Sequence, residues 1–160
     1  MASVTLRLAA PSDARGLAQL MHGAIHAISD CDYTKAQRDA WSPAPMPAAN
    51  MAGRLTDGRT VWVAETAEPT DPLGFIELEA TGHIDCFYLT PSAQGTGVAT
   101  LLFAALEAQA RARGLGTLTV DASTVAKRFF LKRGFLVIEK QTLKRAGITL
   151  HNFKMQKTLP

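Results

Sequence analysis

Of 160 residues only two are cysteines, Cys31 and Cys86, too few for the disulfide framework of a small secreted fold. Neither has a His-Asp/Glu pattern beside it, which argues against a nucleophile, and Cys86 falls in a strand-like run as a packed thiol would. No apolar run approaches the ~20 residues of a membrane span. The N-terminus, where Val4, Leu6 and Leu8 alternate, lacks the apolar core of a signal peptide. A cytoplasmic protein with no membrane partner is expected. Neither charge sign dominates, since 17 Lys+Arg against 14 Asp+Glu leave +3. The basic residues are scattered, with mild clusters at Arg111–Arg113 and Lys127–Arg133. That pattern reads as a solvated surface rather than a nucleic-acid footprint, although part of it can attract a polyanionic cofactor. Repeats, linkers and low-complexity stretches are absent, and the length suits one domain spanning 1–160. His22 and His26 lie four apart, as zinc ligands can, but Gly23 stands where the metalloprotease motif needs Glu. Both read as surface histidines, and no metal is expected.

What is present is an ordinary core-forming composition, 47% hydrophobic and 19% charged. Residues 4–9 alternate as a half-buried strand. Pro11-Ser12-Asp13 opens a helix whose apolar face is Leu17, Leu20, Met21, Ala24, Ile25 and Ile28. Thr34 with Gln37 makes a capping box for a short helix ending at Trp41. A proline-rich breaker covers 42–47, and Ala48 to Leu55 forms another short helix. Strands follow at Thr60–Thr66, Gly74–Ala80 and Ile84–Leu89, with a turn over 67–72, most simply an antiparallel meander. The spacing predicts a helix from Thr96 to Arg113, with Val98, Leu101, Leu102, Ala105, Leu106 and Gln109 near one stripe and Gly114 as its cap. Leu118–Val120 is a short strand, parallel to Ile84–Leu89 because a helix joins them. A helix over Ser123–Arg133 and strands over Phe135–Leu143 and Ile148–Met155 complete the chain. The terminal hairpin can pair between chains, which leaves a homodimer open.

Between the strand ending at Leu89 and the next helix lies Gln94-Gly95-Thr96-Gly97. A glycine-containing loop feeding a helix N-terminus offers unpaired N–H groups and the positive end of the helix dipole to a phosphate. A P-loop would need Lys-Ser/Thr after its last glycine, and none is there. The dinucleotide fingerprint G-x-G-x-x-G is met by Gly95 and Gly97, with Asp121 at a plausible distance, but Thr100 holds its third position. The third pattern is Gln94-x-x-Gly97-x-Ala99 behind Leu89-Thr90-Pro91. It resembles the acyl-CoA motif of the GNAT superfamily of N-acetyltransferases. Ala126 to Phe135 resembles the family's second signature, A-x-x-F-Y-x-x-x-G-F, with Phe130 in place of the tyrosine.

The resemblance implies an α/β (α+β) fold. It would be a mixed, mostly antiparallel twisted sheet of about seven strands, with helices on both faces and a splay at the central strands. It implies acetyl-CoA as co-substrate and a small-molecule or protein amine as acceptor. Coenzyme A would be held by Gln94, Gly95, Thr96, Gly97, Val98, Ala99 and Thr100 at its diphosphate. Phe87, Tyr88 and Leu89 would line its pantetheine arm, with Ser123 and Phe130 beside it. The Leu89 amide would stabilise the thioester oxyanion. Residues 29–58 would form one wall of the acceptor cleft.

An ammonium has no lone pair, so a base must act on the amine. The carboxylates and imidazole within reach are Asp85, His83, Glu79 and Glu77; Asp85 is favoured, on a strand face shared with His83, Phe87 and Leu89. With Phe130 unable to donate a proton, Tyr88 and Tyr33 are the remaining acids for the leaving thiolate. A damaged enzyme that serves as an acyl-CoA sensor is the alternative that Phe130 motivates. A nicotinamide dinucleotide enzyme is the alternative that Gly95, Gly97 and Asp121 motivate.

Overall fold

The computed structural model describes residues 3–67 and 71–160. Seven strands form one sheet in the order β1-β2-β3-β4-β5-β7-β6. They are β1 (Val4–Leu8), β2 (Thr60–Thr66), β3 (Pro72–Leu78), β4 (His83–Leu89), β5 (Thr117–Ala122), β6 (Leu136–Arg145) and β7 (Ile148–Thr158). Every pairing is antiparallel except β4 with β5. The helices are α1 (Ala14–His26), α2 (Lys35–Trp41), α3 (Ala48–Arg54), α4 (Val98–Ala112) and α5 (Thr124–Leu131). Part of the 67–72 turn falls on 68–70, outside the described residues.

Local chemistry sets the boundaries. Thr34 Oγ1 accepts from the Gln37 amide and Gln37 Oε1 from the Thr34 amide, which closes the capping box of α2. Ser123 caps α5 by accepting from the Ala126 amide at 3.0 Å. β5 and β7 extend beyond the expected ends because all of β5 pairs with the last part of β7, Thr117 with Thr158 through Ala122 with Phe153. Apolar patterning marked only the central residues of that ladder.

The central strands of the sheet are buried on both faces. Against one face lie α4 and α5, over Ile76, Leu78, Ile84, Leu102, Leu106, Leu118 and Phe130. Against the other lie α1 and α3, over Leu17, Met51, Val63, Phe75 and Cys86. The buried stripe of α4 is Val98, Leu102, Phe103, Leu106 and Ala110. Leu101, expected on it, is 46% exposed, and Phe103 packs there among Phe129, Phe130 and Phe135.

Two irregularities shape the centre. β4 and β5 pair only at His83–Thr119 and Ile84–Val120 and then part. Beside the parting, Ile76 pairs with Phe87 but Leu78 with Ile84, so Glu77 of β3 faces both Asp85 and Cys86 of β4. This is a β-bulge.

Candidate functional site

The bulge breaks the alternation on which the Asp85 expectation rested. Ile84, Phe87 and Leu89 face the α4 side, whereas Cys86 and Tyr88 pack on the α1 side. Asp85 lies there too, in contact with Arg54 of α3. Asp85 therefore shares its face with Cys86 and Tyr88, not with Phe87 and Leu89.

The parting leaves a gap edged by backbone. Thr90 N–H donates to Leu73 O at 2.8 Å. In an antiparallel ladder every second residue bonds the same neighbour. Tyr88 thus turns its amide toward β3, and Phe87 and Leu89 turn theirs toward the gap. Past the gap, Gly95 (φ 72°) and Gly97 (φ 90°) bend the chain into α4. A Cβ on either would meet nothing within 4 Å, so the turn is open to solvent. Leu101 N–H bonds Gly97 O, and the amides of Val98, Ala99 and Thr100 precede that first intrahelical bond. Gln94 and Thr96 are exposed at the same turn. Arg133 adds a positive charge there. Its Nη2 donates to Thr100 Oγ1 at 2.6 Å, and its guanidinium stacks 3.8 Å above the Phe129 ring.

On the α1 side the gap opens into a cavity of about 480 Å³. Met21, Trp41 and Met46 form one wall; β4 to β7 supply Asp85, Tyr88, Asp121, Gln141, Leu143 and Asn152 opposite, with Ser123 at the gap. The 29–58 region therefore does wall the cavity. His22 and His26 help to hold it. Their rings lie 4.4 Å apart, and they bond Ser42 Oγ and Ser42 O, both at 2.7 Å. They are half-buried clamps on the proline-rich segment rather than free surface histidines.

Asp85 is held in a charge network. Arg54 Nη2 donates to Glu77 Oε2 at 2.5 Å, to Asp85 Oδ2 at 2.6 Å and to Cys86 Sγ at 3.2 Å. Arg59 Nη1 donates to Glu77 and Asp85, both at 3.0 Å. Burial raises the Asp85 carboxyl, but Arg54 and Arg59 outweigh it and hold it below the usual carboxylate range. A carboxylate so held is a poor proton acceptor, which corrects the expectation of Asp85 as general base. Glu77 is fully buried beneath the two arginines, and Glu79 lies 3.9 Å from Arg59. His83 Nδ1 bonds Thr119 Oγ1 at 2.8 Å while its Nε2 stands 3.8 Å from Asp121.

Three aromatic expectations resolve differently. The Tyr33 hydroxyl accepts from the Thr124 amide at 2.8 Å and donates to His151 O at 3.2 Å. Its one proton is committed, so Tyr33 ties the start of α5 to β7 rather than serving as an acid. Phe130 is fully buried among Phe87, Phe103, Phe129 and Phe135. The expectation that it borders the cofactor passes to the half-buried Phe129. Tyr88 has a hydroxyl with no hydrogen-bond partner among the described residues, and it lines the cavity. Burial, then the nearby Cys86, Asp85 and Glu77, push its phenol well up, so it stays protonated.

Comparison with known proteins agrees with this architecture. The family profile described as "Acetyltransferase (GNAT) domain" matches residues 29–159. The crystal structure of a GCN5-related N-acetyltransferase (aminotransferase, class II) from Rhodopseudomonas palustris superposes with TM-score 0.88 at 37% identity, covering 99% of this chain and 98% of that one. An uncharacterized N-acetyltransferase, YafP, of Escherichia coli K12 is 29% identical over 98% of this chain and 97% of its own. An aminoglycoside N(6')-acetyltransferase type 1 of Stenotrophomonas maltophilia is 32% identical over 74% of each chain.

Proposed function

Because the chain belongs to the GNAT acetyltransferase family, we propose that it moves an acetyl group from acetyl-CoA to a primary amine by direct attack in a ternary complex. The observation that carries this reading is the gap. Two backbone amides turn into an unfilled opening between β4 and β5, with an anion-ready turn at one end and a cavity at the other.

In this reading the diphosphate rests on the amides from Gly95 to Thr100, with Gln94 beside it and Arg133 adding charge. The pantetheine arm runs along Phe87, Tyr88 and Leu89 as an added strand would. The Ser123 hydroxyl, whose oxygen already caps α5, donates its proton to the arm. The Leu89 N–H meets the thioester oxygen as it gains charge. The acceptor amine enters from the cavity. Asp85, kept ionised by its arginines, draws the ammonium in, and the Asp121–His83 pair takes the proton it sheds. The amine nitrogen bonds the acetyl carbon, the carbon–sulfur bond breaks, and Tyr88 passes its proton to the leaving thiolate as it takes the second proton from the nitrogen, which ends as the amide.

Incubation with acetyl-CoA and a panel of primary amines, following free thiol, should show amine-dependent release. A folded protein that binds coenzyme A and turns over no amine would reduce the chain to a binding module. Tyr88→Phe should lower kcat about 10²-fold, the scale of one lost general acid, with coenzyme A affinity unchanged. Phe130→Tyr, which would restore the family's hydroxyl, should bring no gain in rate. It places an O–H inside a closed aromatic cluster and should cost about 1–3 kcal/mol of stability in a denaturant melt.

A further inference from the structure

The floor of the cavity identifies a class of acceptor. Gln141 on β6 and Asn152 on β7 are cross-strand partners, and both line the cavity. Neither side-chain amide makes a hydrogen bond within the described residues, and Asn152 Oδ1 is buried without a partner. Buried polar atoms are rarely left unsatisfied. Two idle amides side by side in the wall of a cavity call for groups that both donate and accept. Hydroxyls do both. An alkyl chain would leave the amides stranded.

The opposite wall is of another kind. Met21, Trp41 and Met46 present an indole flanked by two thioethers, a surface for the C–H face of a flat, compact body rather than for its polar edge. The charges decide what else the molecule carries. Arg54 turns its Nε and Nη2 to Glu77, Asp85 and Cys86, so its charge is already met by two carboxylates. Among the described residues the Asp121 carboxylate accepts no hydrogen bond and is approached by His83 at 3.8 Å. The inner end therefore favours an ammonium, because Asp121 has no arginine paired with it among the described residues, whereas Asp85 is met by Arg54 and Arg59. Among the described residues, Arg145 is the one arginine lining the cavity outside the network, and it lies at the exposed far end of β6. A cavity of about 480 Å³ is of small-molecule size.

Resting on the acetyl-transfer reading, we propose that the acceptor is a hydroxylated, acid-free primary amine of ring size, an amino sugar or aminocyclitol. Its C–H face lies on Trp41, its hydroxyls on Gln141 and Asn152, and its amine points past Asp121 toward Leu89. Gln141 and Asn152 are thus the specificity-determining residues. They sit on β6 and β7 at one end of the sheet, not on the α4 turn that would hold coenzyme A.

The test compares glucosamine and a monoaminocyclitol with cyclohexylmethylamine and with an amino acid, by thiol release and by calorimetric binding without acetyl-CoA. The hydroxylated amines should exceed cyclohexylmethylamine at least tenfold in kcat/KM, and the amino acid should be the poorest. Asn152→Leu and the Gln141→Leu/Asn152→Leu pair should erase that preference by lowering kcat/KM for the hydroxylated amines 10–100-fold. Turnover of cyclohexylmethylamine and the thermal shift with coenzyme A should be kept. Equal turnover of hydroxylated and plain amines by the wild type would overturn this inference and leave acetyl transfer standing. So would a uniform loss across all amines in the Leu variants. No turnover of any amine, with coenzyme A bound, would overturn the acetyl-transfer reading itself and this inference with it.

Discussion

Gly97→Asp should weaken coenzyme A binding at least ~100-fold, or about 2.7 kcal/mol, while the protein melts within a few degrees of the wild type. Gly97 is the N-cap of α4 with φ 90° and ψ −2°, and no side chain caps the helix. A Cβ there meets nothing within 4 Å, so the substitution clashes with no neighbour. Aspartate enters the left-handed region more easily than most residues, and at an N-cap its carboxylate can accept from the first free amides. The strain and the new cap therefore nearly offset one another. The same carboxylate occupies the amides of Val98, Ala99 and Thr100 and turns its charge against an incoming diphosphate. Gly97→Ala, with strain but no charge, should lose far less affinity. Calorimetric titration with coenzyme A checks both. If Gly97→Asp bound coenzyme A as tightly as the wild type, the turn would not be the diphosphate site.

How far the sequence reached depended on the range of the interactions involved. Signals carried within one turn of chain were legible. Thr34 and Gln37 marked the start of α2, Ser123 that of α5, and Gly95 and Gly97 the turn that feeds α4. The topology followed too, because a helix between two strands implies a parallel pair and short turns imply antiparallel ones. The bulge in β4 was not legible. It arises from how Ile76 and Leu78 register against the neighbouring strand, and a period-two reading of 83–89 contains no trace of it. Misplacing Asp85 on the Phe87 face was the direct result. The arginines that change its chemistry were equally hidden, since Arg54 and Arg59 come from α3 and the loop after it, 31 and 26 positions away. Phe129 and Phe130 show a third limit. The motif fixed which two positions are aromatic, but the closed cluster around Phe103 decides which of them is exposed. Gln141 and Asn152 carried no sequence signal at all, because an idle amide is recognisable only once its surroundings are known.

The charge network leads to the second large effect, on stability rather than on binding. Glu77→Ala should destabilise the protein by about 3–5 kcal/mol, the usual result of removing one partner from a buried ionic cluster. Glu77 is fully buried and accepts from Arg54 Nε and Nη2 and from Arg59 Nη1. Without it, two guanidiniums with side chains only 21% and 12% exposed keep Asp85 and Asp57 but lose the charge between them. Replacing the set together, Arg54→Met with Glu77→Leu and Arg59→Met, should be nearly neutral, because apolar packing removes the desolvation cost along with the attraction. The two experiments separate stability from function. The network joins α3, the loop before β2 and the bulged part of β4, all on the cavity side of the sheet, whereas the α4 turn lies across the other face. The triple variant should therefore bind coenzyme A normally but show a raised KM for the amine, since Asp85 has lost the arginines that orient it. Urea melts give the stability terms and steady-state kinetics the KM. A Glu77→Ala protein as stable as the wild type would mean that the two arginines find other partners and that the cluster does not hold the cavity wall.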